Sequence, residues 1–107
     1  KKSIRILGAA LMESSWKDQP ITIEELRDQI DLIDDRILDL LNERAKLVLR
    51  LGEIKRAQNL PIYVPSRENR ILERLRNNNR GPLDDASVTR LYQKIIDESR
   101  RLEDGSG

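Results

Sequence analysis

Apolar residues recur in alternating steps of four and three along residues 26–54, the repeat of a helix that packs against a partner over its whole length. One member of the repeat is missing, because Arg44 stands where an apolar residue is due. Thr22 and Glu25 have the spacing of a capping box, so a helix begins directly after them. Gly52 is the one glycine inside the run, and no proline interrupts it. The apolar members of the repeat are Leu26, Ile30, Ile33, Ile37, Leu40, Leu47, Leu51 and Ile54.

This pattern predicts one helix over about residues 23–59, which is about 55 Å long at 1.5 Å per residue. A compact chain of 107 residues has a radius of gyration of only about 13 Å. Only 37% of the residues are hydrophobic and 3% are aromatic, so one copy has little material for a core of its own. The apolar stripe needs cover from a second chain, and the sequence predicts an intertwined homodimer or a long coiled coil.

Two shorter helices are predicted after the long one. Pro61 and Pro65 lie in the connection, and Ser66 is the predicted N-cap of the second helix. The asparagine-rich run at residues 77–82, which ends in Gly-Pro, terminates that helix. One of the two aspartates at positions 84–85 caps the third.

The third helix again carries a stripe with steps of four and three, at Val88, Tyr92, Ile95, Ser99 and Leu102. The chain therefore reads as all-α, with a long, a short and a medium helix and no strand pattern. The expected organisation is an extension over residues 1–20, a helical domain over 21–104, and a tail or the start of a linker at 105–107.

Composition excludes several kinds of chemistry. The sequence has no Cys and no His, so it offers no thiolate, no imidazole base and no imidazole or thiolate metal ligand. Its formal net charge is +1, which argues against a general polyanion binder. No stretch reaches the roughly 20 apolar residues of a membrane span, and the short apolar run at residues 6–12 lacks a convincing cleavage site. The expected location is the cytoplasm.

Polar residues interrupt two of the apolar stripes, at Arg44 and Ser99. A guanidinium on a core-facing stripe needs a partner, which a structural ion pair or a small anionic ligand can supply. Lys55 follows Arg44 by three turns, about 16 Å along the same face, so the two cations can hold a small anion between them. Arg27 is about 26 Å before Arg44 and rotated by roughly 100°, so it could reach that anion only from the partner of an antiparallel dimer.

These polar residues belong to a longer pattern, which runs through 22–31 (TIEELRDQID), 33–34 (ID), 40–44 (LLNER), 52–55 (GEIK) and 65–68 (PSRE). The pattern resembles the all-helical class of chorismate mutases over residues 22–103. The class includes bacterial single-domain enzymes and the mutase domains of bifunctional fusions.

The resemblance implies an intertwined homodimer that rearranges chorismate to prephenate, in the shikimate pathway toward phenylalanine and tyrosine, without a cofactor or metal. Arg27 from the partner chain and Arg44 would bind the two substrate carboxylates as bidentate pairs. Lys55 would donate to the ether oxygen and one carboxylate. Arg67 would support the site, and Glu68 would accept from the substrate hydroxyl.

Further positions follow from the same resemblance. Ser99 would contact the ring-side carboxylate. The expected apolar wall consists of Leu51, Ile71 and Ile96. Among the expected site residues, those with a catalytic role are Arg44, Lys55 and Glu103.

Two of the expected substrate-binding positions depart from many relatives. Val64 replaces an Asp, so hydroxyl recognition would rest on Glu68 alone. Glu103 stands where some relatives have Gln, and it would need a proton to donate to the ether oxygen. Because desolvation disfavours a carboxylate, the resemblance predicts a rate that declines as the pH rises.

Two other functions remain open from the sequence. An isochorismate pyruvate lyase of the same fold uses a similar cationic pocket. A non-catalytic helical dimerisation or regulatory module is the other alternative, with nucleic-acid binding through Arg67, Arg70, Arg74, Arg76 and Arg80 as one form. The near-zero net charge and the scarcity of aromatics argue against nucleic acid as a partner. The sequence leaves open whether the chain is a free-standing enzyme or part of a fusion.

Overall fold

Residues 21–105, the part of the chain that the computed structural model describes, form three α-helices and contain no strand. The helices are α1 (Ile23–Ala57), α2 (Pro65–Asn78) and α3 (Asp85–Glu103). This confirms the predicted all-α chain with a long, a short and a medium helix. The extension expected at residues 1–20 lies outside the described residues, as does the end of the expected tail. No helix in the described part is long and apolar enough to cross a membrane.

The first turn of α1 is held by the predicted capping box. The Thr22 N–H donates to Glu25 Oε1 at 3.0 Å, and the Glu25 N–H donates to Thr22 Oγ1 at 3.1 Å. These bonds satisfy two backbone donors that have no partner inside the helix. The Thr22 backbone N–H and hydroxyl also lower the pKa of Glu25, because both donate to its carboxylate.

The end of α1 has the hydrogen bonds of a Schellman motif. Asn59 takes a left-handed conformation with φ of 57°, and its N–H donates to the Arg56 carbonyl at 3.3 Å. The Leu60 N–H donates to the Lys55 carbonyl at 2.8 Å. Asparagine tolerates this conformation better than most residues, so it ends the helix at Ala57, two residues before the predicted limit.

The second helix starts earlier than predicted. Val64 is its N-cap and Pro65 its first residue, so Ser66 lies inside the first turn and does not cap it. Proline suits this position because its ring sets a helical φ and its missing N–H would have no partner there. The prediction for α3 is confirmed, since Asp84 caps it and accepts from the Ser87 N–H at 2.7 Å.

The chain divides into two compact units, the second of which begins at Leu38. In the first unit, residues 23–37 form the beginning of α1, and residues 21–37 are all exposed. In the second unit, α2 packs on α3 around Ile71, Leu72 and Ile96. The half-buried side chains of Leu75 and Tyr92 pack against this cluster and complete the core.

Within the second unit, the buried positions of α1 are Val48 and Gly52. Each lies one residue after a member of the predicted stripe, and those members, Leu47 and Leu51, are exposed. The repeat therefore predicts that this segment is a helix. The face of the helix that is buried inside this unit is the one next to the repeat. The stripe itself remains uncovered in the single chain.

Candidate functional site

A cavity of about 260 Å³ lies within the second unit, between residues of the later part of α1, the connection after it, α2 and α3. Its wall combines apolar side chains with charged ones. The lining residues are Arg44, Leu47, Val48, Leu51, Lys55, Ile62, Val64, Arg67, Glu68, Ile71, Ile96, Ser99, Arg100 and Glu103.

The charged part of this wall contains four cationic and two acidic side chains, so its formal charge is positive. The four cations are fixed on three helices, which makes their spacing a property of the fold. Such a wall suits a small anion that carries more than one negative group and an apolar body. The charged lining residues are Arg44, Lys55, Arg67, Arg100, Glu68 and Glu103.

Arg44, the residue that interrupts the stripe of α1, has a specific partner on α3. Its Nη1 donates to Ser99 Oγ, the polar residue that interrupts the stripe of α3. Ser99 Oγ in turn donates to the Ile95 carbonyl at 2.7 Å. The Arg44 guanidinium carbon also lies 5.8 Å from the centre of the Tyr92 ring, within the range of a cation–π contact. The two interruptions therefore meet at the cavity.

Lys55 forms the second polar link between α1 and α3. Its Nζ donates to Glu103 Oε1 at 2.5 Å and to the Ile62 carbonyl at 3.2 Å. The two charged side chains are only 15% and 13% exposed, so water screens this pair far less than a surface pair. An ammonium group with two fixed acceptors has one remaining hydrogen available for a ligand.

Gly52 allows the end of α3 to approach α1 at this point. A Cβ atom built on Gly52 would lie 2.6 Å from the Glu103 carbonyl oxygen, a distance that side chains do not adopt. Arg56 Nη1 donates to the same carbonyl. Backbone contact through a glycine therefore sets where Glu103 stands. The sequence marked Gly52 only as a poor helix former and did not indicate this role.

Arg100 lines the cavity and was not among the predicted site residues. Its Nε and Nη2 donate to Glu68 Oε2 and Oε1 at 3.0 and 2.9 Å, which joins α3 to α2. These hydrogen bonds raise the pKa of Arg100 further above its usual high value. The helical period could have indicated this position, because Arg100 follows Ile96 by four residues and lies on the same face of α3.

The remaining predicted residues divide between the two units. Val64, Arg67 and the three residues of the expected apolar wall, Leu51, Ile71 and Ile96, all line the cavity. Arg27 does not line it. It is exposed on the first stretch of α1, in the other compact unit.

The sequence profile of the family described as chorismate mutase type II matches residues 26–104. The chain belongs to this family. The expectation drawn from the polar pattern of α1 and the start of α2 is therefore confirmed. Family membership also agrees with the three-helix fold, because solved chorismate mutases superimpose on this chain.

Two solved structures illustrate the similarity. Chorismate mutase (form II) from Thermus thermophilus is 37% identical, with a TM-score of 0.75 over 76% of this chain and 92% of that one. Chorismate mutase from Helicobacter pylori in complex with prephenate is 34% identical, with a TM-score of 0.72 over 78% of this chain and 91% of that one.

Among curated proteins, the bifunctional chorismate mutase/prephenate dehydratase of Aquifex aeolicus is 46% identical over 85 residues. That alignment covers 76% of this chain and 24% of the Aquifex protein. The chain thus spans about a quarter of the length of the curated relatives that it matches first.

Proposed function

We propose that this chain catalyses the rearrangement of chorismate to prephenate. The observation that carries the proposal is the set of four cations around one cavity whose remaining wall is largely apolar. Chorismate has two carboxylates on a hydrophobic ring framework, and its charge and shape complement such a cavity. The prephenate bound to the Helicobacter pylori relative supports the same ligand class.

The chemistry fits the residues available in this chain. In the rearrangement one carbon–oxygen bond breaks while one carbon–carbon bond forms within the same molecule, and no proton is transferred. A base or nucleophile is therefore unnecessary. The rate increases when the flexible dianion is held in its compact reactive shape and when the negative charge developing on the ether oxygen is stabilised. Cationic side chains held by helices can do both.

Individual roles follow from positions in the cavity wall. Arg44 binds one substrate carboxylate and Arg67 supports the site from the start of α2, while Lys55 uses its remaining hydrogen to donate to the ether oxygen. Glu68 accepts from the ring hydroxyl, with Val64 as an apolar neighbour at the start of α2. Ser99 orients the Arg44 guanidinium and contacts the ring-side carboxylate by turning its hydroxyl hydrogen from the Ile95 carbonyl to the ligand. The apolar residues Leu51, Ile71 and Ile96 pack against the substrate ring; each of these assignments is part of the proposal.

Arg27 enters the proposal through a second copy of the chain. The stripe of α1 leaves Leu26, Ile30, Ile33 and Ile37 exposed in the single chain, and water disfavours a continuous apolar surface of this kind. We propose that a partner chain covers the stripe in a homodimer, and that its Arg27 completes each site. The dimer would then bury the apolar stripe as a second core, and the partner's Arg27 would be the fifth cation of each site.

Glu103 has a role that depends on its protonation. In the free chain its carboxylate accepts from Lys55, and a bound dianion would add negative charge beside it. Only a protonated carboxyl can donate to the ether oxygen, so we propose that Glu103 acts in that form when the substrate is bound. The turnover rate should decline at high pH, where Glu103 loses that proton.

The Glu103→Gln variant tests this role, because an amide donates at every pH. Measured between pH 5 and 9, kcat of the variant should remain level where kcat of the unmodified chain declines. Glu98→Gln, the same change at an exposed surface position of α3, serves as the control and should keep the original profile. A Glu103→Gln profile that matches the original would remove Glu103 from the mechanism.

The overall proposal is tested by supplying chorismate and isochorismate to the purified chain in separate assays. We expect prephenate to form from chorismate, and no pyruvate to be released from isochorismate. Pyruvate release without prephenate formation would instead identify a lyase of the same fold. Inactivity toward both substrates would favour a non-catalytic module.

We further propose that the reaction serves phenylalanine and tyrosine synthesis in the cytoplasm. The curated relatives support this because their names pair a mutase with a prephenate dehydratase, which consumes the product. Expression of the chain in a bacterium that lacks its own mutase should restore growth without phenylalanine and tyrosine. An Arg44→Ala variant, expressed to the same level, should fail to restore it.

A further inference from the structure

The pair formed by Glu68 and Arg100 differs from the other ion pairs in the described part of the chain. Two guanidinium nitrogens of Arg100 bind the two oxygens of one carboxylate, at 3.0 and 2.9 Å, so both side chains are oriented as well as charged. The Glu68 side chain is 17% exposed and the Arg100 side chain 34%. Both residues line the cavity, where the substrate is proposed to bind.

Arg100 is itself held from two further sides. Its Nη2 also donates to Asp97 Oδ1 at 3.3 Å, one turn earlier on α3. Its guanidinium carbon lies 4.6 Å from the centre of the Tyr63 ring, which the connection between α1 and α2 supplies. A guanidinium fixed by a helix neighbour and an aromatic face loses little further freedom when it binds Glu68.

The geometry leaves Glu68 able to accept another hydrogen bond. Each carboxylate oxygen has two lone-pair positions, and Arg100 occupies one on each oxygen. The plane of the carboxylate is set by the paired bonds, so the remaining positions point in set directions. The positive charge of Arg100 also offsets the negative charge of Glu68, which would otherwise repel a dianionic ligand in the same cavity.

We propose that Arg100 is a positioning residue that orients and charge-compensates Glu68 for the hydroxyl group of the substrate. The inference rests on the proposed function, since it assigns a role within that site. Arg100 acts through Glu68 and need not touch the substrate. It therefore governs how tightly the hydroxyl-bearing ring is held more than how fast the bound substrate reacts.

The test compares Arg100→Gln, Arg100→Lys, Glu68→Gln and the double variant Glu68→Gln/Arg100→Gln. The matched control is Arg101→Gln, because Arg101 is the adjacent arginine on α3, lies outside the cavity wall and pairs with Glu98 at the surface. For each variant kcat and KM are measured with chorismate, and the thermal unfolding midpoint is recorded. A chorismate analogue with hydrogen in place of the ring hydroxyl is tested as a competitive inhibitor of each.

Arg100→Gln should raise KM about tenfold, the range of a charge-assisted hydrogen bond, and change kcat by a smaller factor. Arg100→Lys should recover part of the loss, because lysine restores the charge without the paired geometry. The double variant should be no worse than Glu68→Gln alone, since the two residues act as one unit. The analogue should lose much less affinity than chorismate does on Arg100→Gln.

Several outcomes would overturn the inference. One such outcome is an Arg100→Gln variant with the same kcat and KM as Arg101→Gln. Another is an effect of Arg100→Gln that adds fully to that of Glu68→Gln, because full additivity would mean that Arg100 contacts the substrate directly. Equal losses for chorismate and the analogue would exclude a role through the hydroxyl. A loss of activity that only tracks a lower unfolding midpoint would indicate a structural pair. If the unmodified chain does not convert chorismate, the proposed function fails first, and that result is separate from these.

Discussion

The two stretches of α1 on either side of residue 37 carry the same apolar repeat and differ in what surrounds them. Residues 21–37 are all exposed, although Leu26, Ile30, Ile33 and Ile37 keep the spacing of a packed helix. In the later stretch Val48 and Gly52 are buried, and the polar residues Arg44 and Lys55 bond to α3. One helix thus contains a face that packs within its own chain and a face that has no cover there.

This difference separates two causes of helix formation. The later stretch bonds to α3 through Arg44 and Lys55 and meets its backbone at Gly52, and such tertiary contacts are the usual source of helix stability in proteins. The earlier stretch has a capping box and local propensity, and its apolar stripe is evidence of an unmet packing requirement. Variants in the earlier stretch and in the rest of the chain therefore show how much each part contributes to stability and activity.

The largest effect is expected when the two arginines of the proposed site are removed. Arg44→Ala in the later stretch and Arg27→Ala in the earlier one should each lower kcat/KM about 10³-fold, because each deletes a fixed donor to substrate charge. Co-refolding the two inactive variants in equal amounts should restore about a quarter of the original activity, since a symmetric dimer forms one intact site in each mixed pair. Failure to restore activity would show that the two stretches do not share a site.

The apolar stripe of the earlier stretch can be tested with a charge. Ile33→Glu should dissociate the proposed dimer and lower the unfolding midpoint by about 10 °C or more, because a carboxylate would be buried at the proposed interface. Leu32→Glu, an adjacent position off the stripe and 64% exposed, is the matched control and should change little. Sedimentation and thermal unfolding measure both properties. Identical behaviour of the two variants would mean that the stripe stays uncovered.

The hydrophobic core of the second unit should become less stable when a buried side chain is shortened. Ile96 is 3% exposed, and Ile96→Ala should destabilise the chain by about 3 kcal/mol through lost contacts and a residual cavity. Leu91→Ala removes a similar side chain from an exposed position of α3 and should stay within about 0.5 kcal/mol. Chemical denaturation provides the free energies. A small loss for Ile96→Ala would place the main stability of the chain at the dimer interface instead.

Two opposing effects determine the stability of a Gly52→Ala variant. Alanine is favoured over glycine in a helix by about 1 kcal/mol, whereas overpacking against the Glu103 backbone typically costs about 1–3 kcal/mol. The backbone atom cannot rotate away, so Gly52→Ala should destabilise on balance and should also lower activity by displacing Glu103. Glu53→Ala, the exposed neighbour, is the control. A stabilised and fully active Gly52→Ala chain would show that the two helices can separate without consequence.

The smallest effects are expected at the helix caps. Hydrogen bonds to the side chain and backbone of Ser87 lower the pKa of Asp84, so its capping stabilises the fold above its ordinary pKa and is lost as the pH falls through the lowered value. Asp84→Ala should lower the unfolding midpoint near neutral pH, and the difference should narrow in acid, where Asp84 keeps an oxygen acceptor without its charge. Asp84→Asn keeps an oxygen acceptor and should retain most of the stability. Glu25→Ala, at the cap of the uncovered stretch, should have a smaller effect than Asp84→Ala.

Much of the site could be predicted from the sequence because its residues break a regular pattern. Arg44 and Ser99 were identified as polar positions on apolar stripes, and they meet in the structure. Arg100 was missed because an arginine between other charged residues of α3 looks like an ordinary surface residue. Its pairing with Glu68, 32 positions away, depends on how α2 and α3 are packed.

By itself the sequence determined the three helices, their order and most of their ends, because caps, prolines and the apolar period are local properties of a chain. It also determined that the chain offers neither a thiolate nor an imidazole for chemistry, since it has no Cys and no His. The tertiary structure decided which face of α1 is buried, that Gly52 lies against the Glu103 backbone, and that Arg100 pairs with Glu68. These depend on contacts between residues far apart in sequence, and a period of 3.6 residues does not encode which neighbour a face will meet.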